Sequence, residues 1–222
     1  MKTFYFGIAT TILSTILLLT LRSFGVDHLP SILKMTASTG FLLTAWSAGA
    51  FNSRVGIALF VGLIFSWFGD LFLIGSGSRY FLAGLVSFFI GHVCYSIAFA
   101  LYRTRIPVAA AALVFLLIPG GFLARWLLPH VEDPGMRVPV IAYMCVITIM
   151  LALAAGCMRK PGGLWIISGA FLFYLSDIFV ARGAFVQSGF INSLVGLPVY
   201  FGGQLLLAIS IKHMQEPQSD AA

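Results

Sequence analysis

The chain predicts an all-α fold, a polytopic bundle of about eight transmembrane helices, and three observations lead there. Its residues are 60% hydrophobic and only 9% charged, with a mean hydropathy of +1.02, which places it among membrane proteins before any motif is read. Its apolar stretches run to about 20 residues, the length that crosses a hydrocarbon core about 30 Å thick. Short Gly, Pro and charged segments separate those stretches and leave no room for a soluble domain. Residues 1–222 therefore read as a single transmembrane domain closed by a short polar tail at 214–222.

The spans follow in order. The first, 4–21, stands behind Lys2 as a signal peptide would, yet it is too long for a signal core, and Arg22-Ser23-Phe24-Gly25 offers no small-x-small cleavage site. The second, 31–50, carries Lys34 near its start, and the third, 54–75, carries Asp70 near its end. The fourth, 80–102, contains His92 and Tyr95 and stops at Arg103 and Arg105. The fifth, 106–127, is apolar throughout and leads into the longest polar connection, Leu128-Pro129-His130-Val131-Glu132-Asp133-Pro134-Gly135. The sixth, 137–157, holds Tyr143; the seventh, 163–181, holds Tyr174 and Asp177; the eighth, 192–213, holds Tyr200 and Gln204.

Eight spans put both termini on one side of the membrane. The tightest basic clusters, Arg103/Arg105 and Arg159/Lys160, fall on that side and predict cytoplasmic termini, in the inner membrane if the source is bacterial. The net charge of +6 is spread thinly over short loops, a pattern that suits anionic headgroups and offers no basic stripe for nucleic acid. Cys94, Cys145 and Cys157 lie in apolar segments without paired spacing, which argues against a disulfide framework. The two halves also read as repeats, units of about 1–105 and 106–213. Gly69-Asp70-Leu71-Phe72 in span three answers Ser176-Asp177-Ile178-Phe179 in span seven, and Phe88-Phe89-Ile90-Gly91-His92 in span four answers Tyr200-Phe201-Gly202-Gly203-Gln204 in span eight. Such a parallel repeat places a site at the interface between the halves.

Asp70 and Asp177 are the residues that call for an explanation. A carboxylate in the hydrocarbon region costs several kcal/mol even on lenient insertion scales, so an intramembrane acid marks a functional site by default. The other acids, Asp27, Glu132, Asp133, Glu216 and Asp220, fall in loops or the tail. Counted back from the span ends at a rise of 1.5 Å per residue, both aspartates lie about 6–8 Å inside the core. Lys34 and Tyr143 fall in the same layer and Tyr174 just below it. His92, Tyr95, Tyr200 and Gln204 lie near the midplane, where they would floor a pocket. Almost no ionisable side chain occupies the half nearest the termini, so the pattern describes a cavity open on one side or toward one leaflet. An ion or proton pathway would need stepping stones through the whole thickness.

Two carboxyl groups sharing an apolar site can divide into one that holds a proton and one that stays ionised, the equipment for general acid and general base. A vinyl ether needs that equipment, because protonation at carbon leaves an oxocarbenium ion that a carboxylate can stabilise while water attacks. Serine-esterase chemistry lacks its Gly-x-Ser-x-Gly elbow. A zinc hydrolase would need about three ligands, yet of His28, His92, His130 and His213 only His92 is deep in a span. The expectation is of catalysis without metal or other cofactor. Built on the same duplicated unit, a small-solute or proton-coupled transporter is the alternative.

The pieces that recur together are Lys34 at the start of span two, Phe68-Gly69-Asp70-Leu71-Phe72, and Phe81-Leu82-Ala83-Gly84-Leu85 with His92 and Tyr95. To these add Tyr143, Gly169-Ala170 through Ser176-Asp177, and Tyr200 with Gln204-Leu205-Leu206. In this order and spacing the chain resembles the lysoplasmalogenase (YhhN-like) family of eight-span membrane proteins, from span two to span eight. Family members often have proline after the lysine, where this chain has Met35. The resemblance implies hydrolysis of the vinyl ether bond of lysoplasmalogens, releasing a fatty aldehyde and glycerophospho-ethanolamine or -choline. On that reading Asp70 and Asp177 are the acid/base pair. Lys34 orients a carboxylate or meets the phosphate, while His92, Tyr95, Tyr143, Tyr174, Tyr200 and Gln204 position substrate and water. The implied partners are a lysophospholipid and membrane lipids.

Overall fold

Eight long α-helices account for nearly all of the computed structural model, which describes residues 1–26 and 29–215. Asp27, His28, Glu216, Asp220 and most of the polar tail lie outside the described residues. The helices are α1 (Lys2–Ser23), α2 (Leu29–Ser47), α3 (Arg54–Phe72), α4 (Ser78–Leu101), α5 (Ile106–Leu127), α6 (Pro134–Gly156), α7 (Gly163–Ala181) and α8 (Phe190–Met214). No strand occurs among the described residues. The protein is thus an all-α, multi-pass membrane bundle.

Seven of these helices have the length and hydropathy of membrane spans. The exception is α2, which carries Lys34 and a run of serines and threonines. Lys34, Ser38 and Thr44 face inward and are buried, whereas Ile32, Thr39, Trp46 and Ser47 are exposed. The remaining helices expose large apolar side chains outward, as a bilayer requires. Most exposed is α5, where Val114, Phe115, Leu117, Ile118 and Phe122 all face out and only Ala109 and Leu127 are buried.

Local chemistry sets the helix ends. Ser53 caps α3 by accepting from the Gly56 amide at 3.0 Å, and Asp133 caps α6 by accepting from the Gly135 amide at 2.8 Å. Gly49 and Gly162, at φ of 86° and 69°, make the left-handed turns ahead of α3 and α7. Past Ala181, α7 continues as a π-helical turn, Arg182–Val186, so its axis runs well beyond Asp177. In contrast α3 stops at Phe72, shorter than the expected 54–75, and Asp70 lies in its final turn.

Neighbours in sequence pair as antiparallel hairpins, α1 with α2, α3 with α4, α5 with α6 and α7 with α8. Three of the hairpins cross on facing glycines, α1–α2 among them, where a β-carbon at Gly7 would stand 2.8 Å from the Gly40 carbonyl oxygen. A β-carbon at Gly62 would stand 3.1 Å from the Gly91 carbonyl oxygen, and one at Gly169 would stand 2.8 Å from that of Gly203. Without hydrophobic drive between helices in lipid, such small-residue crossings let backbones approach and maximise van der Waals contact. The hairpins are joined through α2 with α3 and α8, and through α6 with α4 and α7. The core between them is aromatic and aliphatic, built on Phe41, Leu63, Phe99, Met150, Phe173 and Phe201, each at most 2% exposed.

Candidate active site

Lys34 and Ser38 are one turn apart on the inner face of α2, and both reach Asp70 on α3. The Lys34 ammonium lies 3.2 Å from Asp70 Oδ1 and donates to the Asp70 carbonyl oxygen at 3.1 Å. Oδ2 of the same carboxylate accepts from Ser38 Oγ at 2.6 Å and, across the bundle, from the Tyr200 hydroxyl of α8 at 2.7 Å. Asp70 is 2% exposed. Its charge is paired and both oxygens are hydrogen-bonded, as a buried ion pair requires if it is not to destabilise the fold. Closure of α3 at Phe72 puts this carboxylate where the start of α2 can meet it.

Asp177 on α7 is held differently. The Tyr143 hydroxyl of α6 donates to Oδ2, and His92 Nε2 of α4 lies 3.5 Å from the same oxygen and 3.0 Å from the Tyr143 oxygen. A phenol has one hydrogen to give, and here it goes to the carboxylate, so the His92–Tyr143 bond needs a protonated Nε2 donating to the phenolic oxygen. Ser176 Oγ lies 3.4 Å from Oδ1 but gives its one hydrogen to the Phe173 carbonyl at 2.7 Å, and the Asp177 side chain remains 15% exposed. One carboxylate is saturated; the other has an oxygen to spare.

Both face one cavity of about 400 Å³. It draws lining from all eight helices, always from the ends opposite the chain termini: Arg22 of α1, Ser31 of α2, Leu127 of α5 and Ser193 of α8 among others. Lys34, Asp70, Tyr143, Tyr174, Asp177 and Tyr200 of the expected set form part of its wall. The rest of that wall is mainly apolar, with Phe81, Leu85, Leu123, Phe179 and Phe185. Edge-to-face contact of Phe81 with Phe185, centroids 5.4 Å apart, closes the gap between the start of α4 and the π-helical turn.

His92, Tyr95 and Gln204, expected to position substrate and water, are not among the residues that line the cavity. All three are 0% exposed. Phe88, Phe173 and Tyr200, with centroids 5.4 to 6.0 Å apart, fill the space in front of them, and His92 packs on Phe173 at 4.5 Å. Behind that aromatic wall the Tyr95 hydroxyl donates to Gln204 Oε1 at 2.9 Å and lies 3.0 Å from Ser66 Oγ. By the same one-hydrogen argument Ser66 is the donor there. These side chains tie α3, α4 and α8 together and steer Asp177 only through His92.

Comparison with known proteins places the chain. Residues 29–211 match the model of the YhhN family. The chain belongs to the YhhN family. Among its relatives is a Bos taurus protein named lysoplasmalogenase TMEM86A, 29% identical over 82% of this chain and 72% of the relative. The human lysoplasmalogenase TMEM86B is 30% identical over 82% of this chain and 73% of its own. A lysoplasmalogenase of Mycobacterium bovis is 26% identical over 84% of this chain and 72% of its own. No solved structure matches.

Sequence reasoning about this YhhN protein passed over Ser38, Arg22 and Ser193. Ser38 carries a readable signal, since it stands four residues after Lys34 and so shares its helix face. Arg22 and Ser193 carry none, because nothing local brings the end of α1 to the start of α8.

Proposed function

We propose that the chain hydrolyses the vinyl ether bond of lysoplasmalogens, as the names of its relatives indicate for them, giving a fatty aldehyde and glycerophospho-ethanolamine or -choline. The observation that carries this reading is the pairing of two unlike carboxylates on one largely apolar cavity inside a membrane bundle. An alkenyl chain would lie along Phe81, Leu85, Leu123 and Phe179, with its ether oxygen between Asp70 and Asp177.

The steps balance without a cofactor. Asp177, with one oxygen lightly bonded and reachable from the cavity, delivers a proton to the β-carbon of the vinyl ether and leaves an oxocarbenium ion. Asp70, fixed by Lys34, Ser38 and Tyr200, faces that cation as a preorganised negative charge. Water adds to the oxocarbenium carbon and returns a proton to Asp177, and the resulting hemiacetal collapses to aldehyde and free glycerol hydroxyl. His92 and Tyr143 hold the Asp177 carboxylate in one orientation through this cycle.

We read the two halves as repeats of about 1–105 and 106–213. Support comes from Gly62 and Gly169, each eight residues before its aspartate and each at a glycine crossing. The termini are proposed to be cytoplasmic. The deciding assay offers purified protein lysoplasmenyl lipid and the matched lysoacyl lipid and measures aldehyde and fatty acid. Aldehyde from the first with no acid from the second is the expected result; acid release, or no aldehyde, ends the reading.

A further inference from the structure

The cavity wall carries four charged side chains among the described residues: Lys34, Asp70, Asp177 and Arg22. Two of the three donors of the Lys34 ammonium go to Asp70, whose carboxylate also neutralises its charge, so Lys34 has little left to offer a lipid phosphate. That leaves Arg22. It stands in the last turn of α1, at the cavity mouth, and donates through Nη1 to Ser193 Oγ of α8 at 2.6 Å. Among the described residues it faces no carboxylate. A guanidinium has five N–H donors in a planar fork, and one bond to a serine leaves most of them for an oxyanion.

The neighbouring residue, Asn192, also lines the mouth and is held from both ends. Arg182 Nη1 donates to its Oδ1 at 2.6 Å, and its own Nδ2 donates to the Gln187 carbonyl at 2.8 Å. This clamp fixes the start of α8 against the π-helical turn, and with it Ser193. Ser193 precedes Tyr200 by seven residues, about 10 Å along the helix axis. A glycerol unit, its ester oxygen and the length of an arginine side chain cover that separation, so a phosphate at Arg22 places the sn-1 ether near Asp70.

We propose that Arg22, presented by Ser193, is the subsite for the phosphate of the lysophospholipid, a role that rests on the hydrolase reading above and goes beyond it. Selectivity for a phosphate-bearing lipid then resides at the mouth, and Lys34 serves Asp70 alone.

The test compares lysoplasmenyl-phosphocholine with the phosphate-free 1-alkenylglycerol of the same chain length, for the parent, Arg22→Gln, Arg22→Lys and Ser193→Ala. Hydrogen bonds to a charged group typically account for about tenfold to a hundredfold in affinity. The parent should favour the phospholipid by at least tenfold in kcat/KM, through KM. Arg22→Gln should bring that ratio to within about threefold of unity, with Arg22→Lys and Ser193→Ala between. An Arg22→Gln ratio within twofold of the parent's overturns the proposal, as does a parent with no preference. If the parent hydrolyses neither lipid, the hydrolase reading fails, and displacement of a fluorescent lysophospholipid by lysophosphatidylcholine decides the subsite on its own. Tenfold weaker displacement in Arg22→Gln sustains it, and equal displacement overturns it. Should Arg22→Gln not fold, Ser193→Ala and Arg22→Lys carry the same comparison.

Discussion

At the scale of single residues, the two aspartates predict different consequences for one substitution. Asp177→Asn keeps an acceptor for Tyr143 and strands no cation, so the variant should fold and insert as the parent does. It should also lose about 10²–10⁴ in the rate of aldehyde release, the usual worth of a positioned acid; a loss under threefold from pH 5 to 9 makes Asp177 structural. Asp70→Asn leaves Lys34 buried without its counter-charge, which typically costs about 3–5 kcal/mol. Its melting temperature in detergent should therefore fall, and Lys34→Met with Asp70→Asn should recover much of the loss while remaining inactive. Stability without recovery in the double variant would mean that Lys34 pairs elsewhere. For residues acting as a unit, the combined Asp70 and Asp177 variant should be little slower than the worse single one.

At the scale of helices, position relative to the bundle governs what a side chain may be. Gly169 and Gly62 stand where a β-carbon would press on a facing backbone, whereas Gly120 and Gly121 in α5 face open space. Gly169→Ala should lower the melting temperature by several degrees and Gly120→Ala should not, since only the first forces two helices apart. Equal effects would remove the crossing as the reason for glycine. The same geometry explains why α5 has so little buried surface: it packs mainly on α6 and leaves the glycine-hinged hairpins to form the bundle.

At the scale of the molecule, the cavity belongs to one half of the membrane. Every lining helix contributes from its end opposite the termini, so access should come from that side or from its leaflet. Ser193→Cys should react with a membrane-impermeant maleimide added on the side opposite a terminal tag, and lysophospholipid should slow that reaction. Labelling from the tagged side would overturn that placement of the cavity. A one-sided cavity also predicts turnover without transport, so sealed vesicles containing the protein should not accumulate lysolipid.

The sequence by itself determined the eight helices, within a few residues at most ends: seven through length and hydropathy, which need no partner to be recognised, and α2 through the Gly, Pro and charged segments that bound it. It also singled out Asp70, Asp177, Lys34 and Tyr143, since a polar side chain in hydrocarbon is costly wherever it stands. Tertiary structure alone decided how these are shared. Lys34 pairs with Asp70 at the cavity wall, Tyr200 crosses from α8 to the first aspartate, and His92 reaches the second from α4. Depth along a helix can be counted from the ends, but azimuth depends on which helices pack together, and that is set by glycine crossings distant in the chain. For the same reason His92, Tyr95 and Gln204 fell behind an aromatic wall that no local pattern announces, and Arg22 met Ser193 across 171 residues.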